Sequence, residues 1–309
     1  MKSKIITFPW IGKEYTEIIK ESLENLGLNI QLPPKTTDKT IKLGVKNSAG
    51  MFCYPLKTTL GNFIEALDNG ADILLMIDSR GTCRLRHYYK VQDYTLRKLG
   101  YDFEMITITK YNIFSVLSRL SGRSIFEVFL EIFNLYRKIR NCDLEKSKWS
   151  SEKPNIGIIG EAYTCMDETS NYNIEDKIRK LGANPYNAVT LSEFIKEGFM
   201  RRLPLFMDKR KKYKKEAIKY LNGKLGGHGE ENICNLLYLI DKKVDGIIHL
   251  MPLSCGPEVV VEKFIDGICR DNKVPLLRIN VDENDSELNL NTRLETYIEL
   301  IKIRNKKKC

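Results

Sequence analysis

Short apolar runs alternate along the chain with longer stretches whose apolar positions recur every three or four residues. IITFPW (5–10) reads as a strand, EYTEIIKESLENLG (14–27) as a helix closed by Gly27, and LNIQLP (28–33) as a second strand stopped by Pro33 and Pro34. KTTLGNFIEALDNG (57–70) predicts a helix, DILLMID (72–78) a buried strand, YYKVQDYTLRKLG (88–100) a helix and FEMITIT (103–109) a strand, followed by a long helical region over 112–142. The polar stretch DLEKSKWSSEKPN (143–155) interrupts the pattern and marks a domain boundary. Alternation then restarts. IGIIGEAY (156–163) is a strand, NIEDKIRKLG (173–182) a helix, AVTLSEF (188–194) a short strand-like run, and a helical insertion reaches Tyr220. GHGEENICNLLYLIDKK (227–243) is a helix, DGIIHLMPL (245–253) a strand, EVVVEKFIDGICRDN (258–272) a helix, VPLLRINV (274–281) a strand and ELNLNTRLETYIELIKI (287–303) a closing helix. Strands separated by helices argue for an α/β protein. The expectation is two doubly wound halves, 1–150 and 151–309, with mostly parallel sheets and helical insertions.

Composition changes this picture little. The 309 residues, 42% hydrophobic and 29% charged, suit a soluble globular chain, and no apolar run is long enough to cross a bilayer. MKSKIITFPWIGKEY lacks the apolar core and cleavage site of a signal peptide, so the protein reads as cytoplasmic, with no membrane partner. The net charge of +10 is concentrated in DKRKKYKKEAIKY (208–220) and KIRNKKKC (302–309). Neither run carries a nucleic-acid-binding motif, so no nucleic acid is implied, and the first run reads as the solvated face of a helix.

Eight cysteines matter more. Disulfides are rare in the cytosol, so these thiols are buried spectators or ligands. Cys142, Cys234 and Cys269 sit in helical patterns and read as spectators; Cys309 ends a lysine-rich tail. Cys83 follows the strand DILLMID, Cys255 follows GIIHLMP, and Cys53 lies in the turn before the helix near Lys57. Ligands in open α/β sheets bind beyond the carboxyl ends of the strands, and a helix N-terminus favours thiolate. Three thiolates converging from separate loops fit either a zinc site or an iron–sulfur cluster; their spacing is not that of a zinc ribbon or knuckle, dispersed single cysteines suit a cluster in a cleft between α/β halves, and three unrelated thiols remain an alternative. Cys165, also after a strand, is a fourth ligand or packs beneath its loop.

LGVKNSAGMFCYPLKTTLGNFIEALDNGADILLM, GTCRLRHYY, GEAYTCMDETSNYNIEDKIRKLGA, GGHGEEN, DGIIHLMPLSCGPE and TRLETYIELI occur in this order. Together they make the sequence similar to the activase-related proteins of the 2-hydroxyacyl-CoA dehydratase superfamily, relatives of the dehydratase subunits and of the double-cubane-cluster reductases. The combinations Cys-x-Pro-x-Lys (53–57), Gly-x-Cys-Arg (81–84) and Pro-x-x-Cys-x-Pro-Glu (252–258) carry the resemblance. It implies two flavodoxin-like halves with a [4Fe-4S] cluster held by Cys53, Cys83 and Cys255, one iron being left open. A double-cubane cluster would need further thiolates, from Cys165 or a second chain. It also implies an ATP-hydrolysing activator of the actin/Hsp70/sugar-kinase superfamily as electron donor. The substrate would be a small molecule such as a 2-hydroxyacyl-CoA, dehydrated through a ketyl radical, or another molecule reduced at the expense of ATP. A second dehydratase-type subunit or a homodimer is the implied assembly. A non-catalytic electron carrier or accessory subunit and a structural zinc protein are the competing readings.

Around the thiols, Lys57, Arg84 and Arg86 can offset cluster charge, or cap a helix and face solvent. GGHGEEN (226–232) can hold an anion such as a coenzyme A phosphate through Gly227 at a helix N-terminus. His228 there is a proton donor or a structural residue. Glu258 and Glu161, both at strand-to-helix junctions, can move protons, or cap helices. His249 lies within a strand and reads as core.

Overall fold

The computed structural model describes residues 4–78, 83–196, 211–221, 228–283 and 287–306. The N-terminal half runs β1 (Ile6–Thr7), α1 (Lys13–Asn25), α2 (Asp38–Lys46), α3 (Tyr54–Asp68) and β2 (Ile73–Ile77). A 3-10 turn (Arg84–His87), α4 (Tyr88–Lys98), β3 (Glu104–Ile108), α5 (Ile113–Ser121) and α6 (Ile125–Lys146) complete it. The three strands are parallel in the order β1-β2-β3.

The C-terminal half begins with β4 (Asn155–Gly160), α7 (Ala162–Met166), α8 (Ile174–Lys180), β5 (Asn184–Asn187) and α9 (Leu191–Ile195). It continues with α10 (Lys211–Tyr220), α11 (Gly229–Asp241), β6 (Gly246–Pro252), α12 (Gly256–Asp271), β7 (Leu276–Val281) and α13 (Glu287–Lys306). Its four parallel strands lie in the order β5-β4-β6-β7, and every residue of β4 and β6 is buried. Such a sheet needs a core on each face. Ile156, Ile158, Ile248 and Leu250 point to one core with α8 and α13. Ile159 and Ile247 point to the other, with α11 and α12. The molecule is thus the expected α/β protein of two parallel, flavodoxin-like halves.

Four local expectations shift. LNIQLP contributes only an isolated bridge, Ile30 to Ile6, because the two prolines remove the donors a longer strand needs. The strand expected at 188–194 lies upstream as β5, where Pro185 is tolerated at the sheet edge, and Leu191–Ile195 is helical. The 112–142 region is two helices, separated by Gly122 in left-handed conformation and restarted by a Ser124–Glu127 capping box. Helix α2 was not expected: its capping box uses Thr37 and Thr40 instead of a glutamate, and it contains Gly44. That glycine is required by packing, since a Cβ there would sit 1.7 Å from the carbonyl oxygen of Lys57 on α3.

The halves interlock. The backbone N–H of Lys13, at the start of α1, donates to both carboxylate oxygens of Glu168 at 3.1 Å. Helix α6 runs to Lys146, into the stretch read as a boundary. There Asp143 accepts hydrogen bonds from Tyr15 and from the Ser192 N–H at the start of α9. Helix α3 enters with its first turn: Tyr54 joins the core of the C-terminal half, and Lys57 pairs with Glu283 just beyond β7.

Candidate functional site

The thiols of Cys53, Cys83 and Cys255 occupy equivalent local positions. Each is the N-cap residue of the element after it: α3, the 3-10 turn, and α12. Pro55 and Pro257 start the two helices in the first turn, where their missing N–H costs nothing. The Cys83 sulfur accepts from the Leu85 N–H at 3.5 Å. The amides of Leu56 and Glu258 act on Cys53 and Cys255 in the same sense, pulling the thiol pKa down.

Burial opposes that pull and wins. It pushes Cys53 up to about 11, and raises Cys83 and Cys255 as well. The lesser causes are charges near enough to act on each thiol. Cys83 acts on Cys53, and Cys53 acts on Cys255; the Glu161 carboxylate acts on all three, and Glu258 on Cys83 and Cys255. Three sulfurs from three separate loops therefore lie within electrostatic reach around one carboxylate.

Glu161 reaches this position because β4 ends on Gly160. With φ at +147, a Cβ on Gly160 would lie 2.0 Å from the Leu250 carbonyl of β6. Glu161 then caps α7, accepting from the amides of Tyr163 (3.1 Å) and Thr164 (2.8 Å) and from the Thr164 hydroxyl (2.9 Å). Burial raises its pKa. In the order β5-β4-β6-β7 the chain leaves β4 and β6 in opposite directions, so Glu161 and Cys255 flank the switch point of the sheet.

Behind them lies a buried polar network. Asn232 of α11 accepts from the Gly160 N–H (3.0 Å) and donates to the Gly160 carbonyl (2.9 Å) and to Glu258 (2.7 Å). The other Glu258 oxygen meets Nε2 of His249 on β6 at 2.7 Å. Glu258 thus spends its carboxylate on the network and not on capping α12, while its charge still reaches two thiols. On the opposite side the buried Tyr88 hydroxyl hydrogen-bonds with the Cys53 sulfur, tying α3 to α4 just beyond Cys83.

Not every expected residue gathers here. Arg84 donates to the Met51 carbonyl at 3.1 Å, and its charge lowers the Cys83 pKa. The Lys57 ammonium is taken by Glu283. His228 lines a separate cavity with Thr190, Phe194 and Glu231, and Gly227 lies outside the described residues. Cys165 packs in the core of the C-terminal half. Tyr88 and Asn232 were missed: no spacing or turn signal separates Tyr88 from its neighbours, and Asn232 looks like any polar residue early in a helix.

Among the described residues, no three histidine, cysteine, aspartate or glutamate side chains are close enough to share a single metal ion. A single tetrahedral zinc would bring its thiolates to within about 4 Å of one another, given Zn–S bonds near 2.3 Å. A four-iron cluster takes each thiolate on a different iron, so its sulfurs stand further apart. The donor set is all thiol and comes from three separate loops, the ligand chemistry that an iron–sulfur cluster takes.

Residues 190–301 match the family described as 2-hydroxyglutaryl-CoA dehydratase, D-component. That similarity is confined to the C-terminal half of the chain. The matched stretch runs from α9 into α13 and includes Cys255, Glu258, His249 and Asn232; Cys53, Cys83 and Glu161 precede it. No curated protein matches the chain. Among the described residues, no helix is long and apolar enough to cross a membrane.

Proposed function

We propose that this chain is a dehydratase-type subunit that holds a [4Fe-4S] cluster through Cys53, Cys83 and Cys255, between lobes formed by residues 1–150 and 151–309. It takes a low-potential electron from an ATP-hydrolysing activator and acts on a small substrate of the 2-hydroxyacyl-CoA class. The observation that carries this reading is the grouping of three N-cap thiols, from three loops, around Glu161. When bound, the cluster supplies one-electron chemistry and an open iron as Lewis acid.

The chain's own residues supply the rest. Glu161, with its pKa raised by burial, is placed to hold a proton beside the thiols and to exchange it with a substrate hydroxyl. The amides at the three helix starts and the Arg84 charge offset negative charge on the sulfurs. The Asn232–Glu258–His249 network fixes the ends of β4 and β6, and so the distance between Glu161 and Cys255.

The test is anaerobic: the chain is incubated with a reduced activator, MgATP and a panel of 2-hydroxyacyl-CoA thioesters. Loss of water from a thioester, abolished by Glu161→Gln with the iron retained, is the expected result. Reduction of the chain without conversion of any substrate would support the electron-carrier reading instead. Zinc in place of iron in the anaerobically isolated protein would defeat both.

A further inference from the structure

Helix α6 buries Val128 and Ile132 in the N-terminal core, together with Tyr136, Ile139 and Asp143, of which Ile139 and Asp143 meet Leu191 and Ser192 of α9. The opposite side is not polar, as a solvent-facing side should be. Phe126, Leu130, Phe133, Arg137, Arg140 and Leu144 follow one another at spacings of four, three, four, three and four residues, and all six are exposed. This is the spacing of a coiled-coil seam. Phe126 is 68% exposed, Leu130 46%, Phe133 41% and Leu144 59%. Exposed Ile125 and Phe129 flank the stripe, with the Phe129 ring held 6.1 Å from Phe114 of α5.

We infer that α6 is a self-association surface, on which two copies of the chain pair through antiparallel α6 helices about a two-fold axis. Two features select a second copy as the occupant. The first is area. The apolar side chains at the N-terminal end of the stripe leave on the order of 500 Å² of apolar surface uncovered, as large as the largest patches of ordinary monomers. Two copies would bury roughly 1,000 Å² from these side chains alone, the size at which a specific interface begins.

The second feature is the layout. The seam positions are symmetric about residue 135, so an antiparallel pair places Phe126 against Leu144, Leu130 against Arg140 and Phe133 against Arg137 of the other copy. Each arginine then lies over an apolar side chain, with its stem packed and its guanidinium at a ring face or at the rim. A parallel pair would stack Arg137 on Arg137 and Arg140 on Arg140, which like charges oppose. The proposal does not depend on the cluster reading.

The test uses the full chain in sedimentation equilibrium over a concentration series. A reversible dimer is expected. Phe126→Glu and Phe133→Glu are expected to weaken it by about tenfold or more, with an unchanged thermal melt at concentrations where the parent chain is monomeric, because both positions face solvent in the monomer. Orientation is read by oxidation. The double variant Phe126→Cys/Leu144→Cys is expected to form a covalent dimer above the background of the parent chain, and neither single variant is. The nearest native thiol, Cys142, is turned to Glu14 and off the seam. A monomer at every concentration, a dimer indifferent to both glutamates, or crosslinking of the single variants would each overturn the proposal.

Discussion

The N-terminal half supplies two of the three site thiols from a three-stranded sheet whose first strand has two residues; the C-terminal half supplies one from a four-stranded sheet with fully buried central strands. What surrounds the thiols is distributed the other way. The buried acid, imidazole and amide all belong to the C-terminal half, as does Glu161. One half is a frame that fixes charge, and the other leans on it to present sulfur. Cys53 shows the dependence: it caps α3, whose first turn is seated in the core of the opposite half.

The largest effect should come from that seat. Tyr54→Ala removes a buried aromatic from the C-terminal core and is expected to cost about 4 kcal/mol, read as a lower urea midpoint. A loss below about 1 kcal/mol would show that the halves do not share this core. Next comes the contrast between the two buried acids. Glu258→Leu leaves one Asn232 N–H and the His249 Nε2 without their partner inside the protein, and is expected to cost about 3 kcal/mol. Glu65→Leu in the N-terminal half removes bonds to Thr40 and exposed Lys39, and is expected to cost about 1 kcal/mol. Equal losses would dissolve the distinction between frame and presenter.

Asp167, fully buried in the C-terminal half, sharpens the comparison through pH. Burial pushes it up to about 6 from 3.8. The folded protein holds this proton more tightly than the unfolded chain does. Its contribution is therefore complete below about pH 3.8 and is lost as pH rises through about 6, roughly 2–3 kcal/mol in all. Asp167→Asn is expected to flatten this part of the stability profile; an unchanged slope between pH 4 and 7 would contradict it. An effect as small as that of Glu65→Leu belongs to Tyr88→Phe, which removes only the hydroxyl bonded to Cys53 and is expected to lower stability by about 1 kcal/mol. No change in the denaturation midpoint would mean that this bond does not tie α3 to α4.

The thiols were legible in the sequence because their signal is local. Cys83 and Cys255 each follow a strand and precede a helical turn, and so fall at the open end of a parallel sheet, while Cys53 sits in the turn between two helices, just before Pro55. Most strands were legible too, since β2, β4 and β6 are continuous apolar runs. The partners were not legible, because they depend on packing between segments far apart in the chain. His249 reads as core and is core, yet its ring nitrogen meets Glu258; Asn232 is separated by 72 residues from the glycine it clamps. Helix α2 escaped because the close approach of α3 demands a glycine inside it, which local propensity counts against a helix. The exposed side of α6 was hidden for the converse reason, as an apolar stripe in sequence reads as buried.

The account rests on three thiols holding one iron–sulfur group, and iron and acid-labile sulfide counted per chain after anaerobic reconstitution test it most directly. Four irons and four sulfides are expected for the parent chain and for Cys234→Ser, whose thiol is buried in the far core, about the composition of one cluster. Cys53→Ser, Cys83→Ser and Cys255→Ser are each expected to lose most of the iron. Full iron in any one of those three, or none in the parent chain, would contradict the assignment.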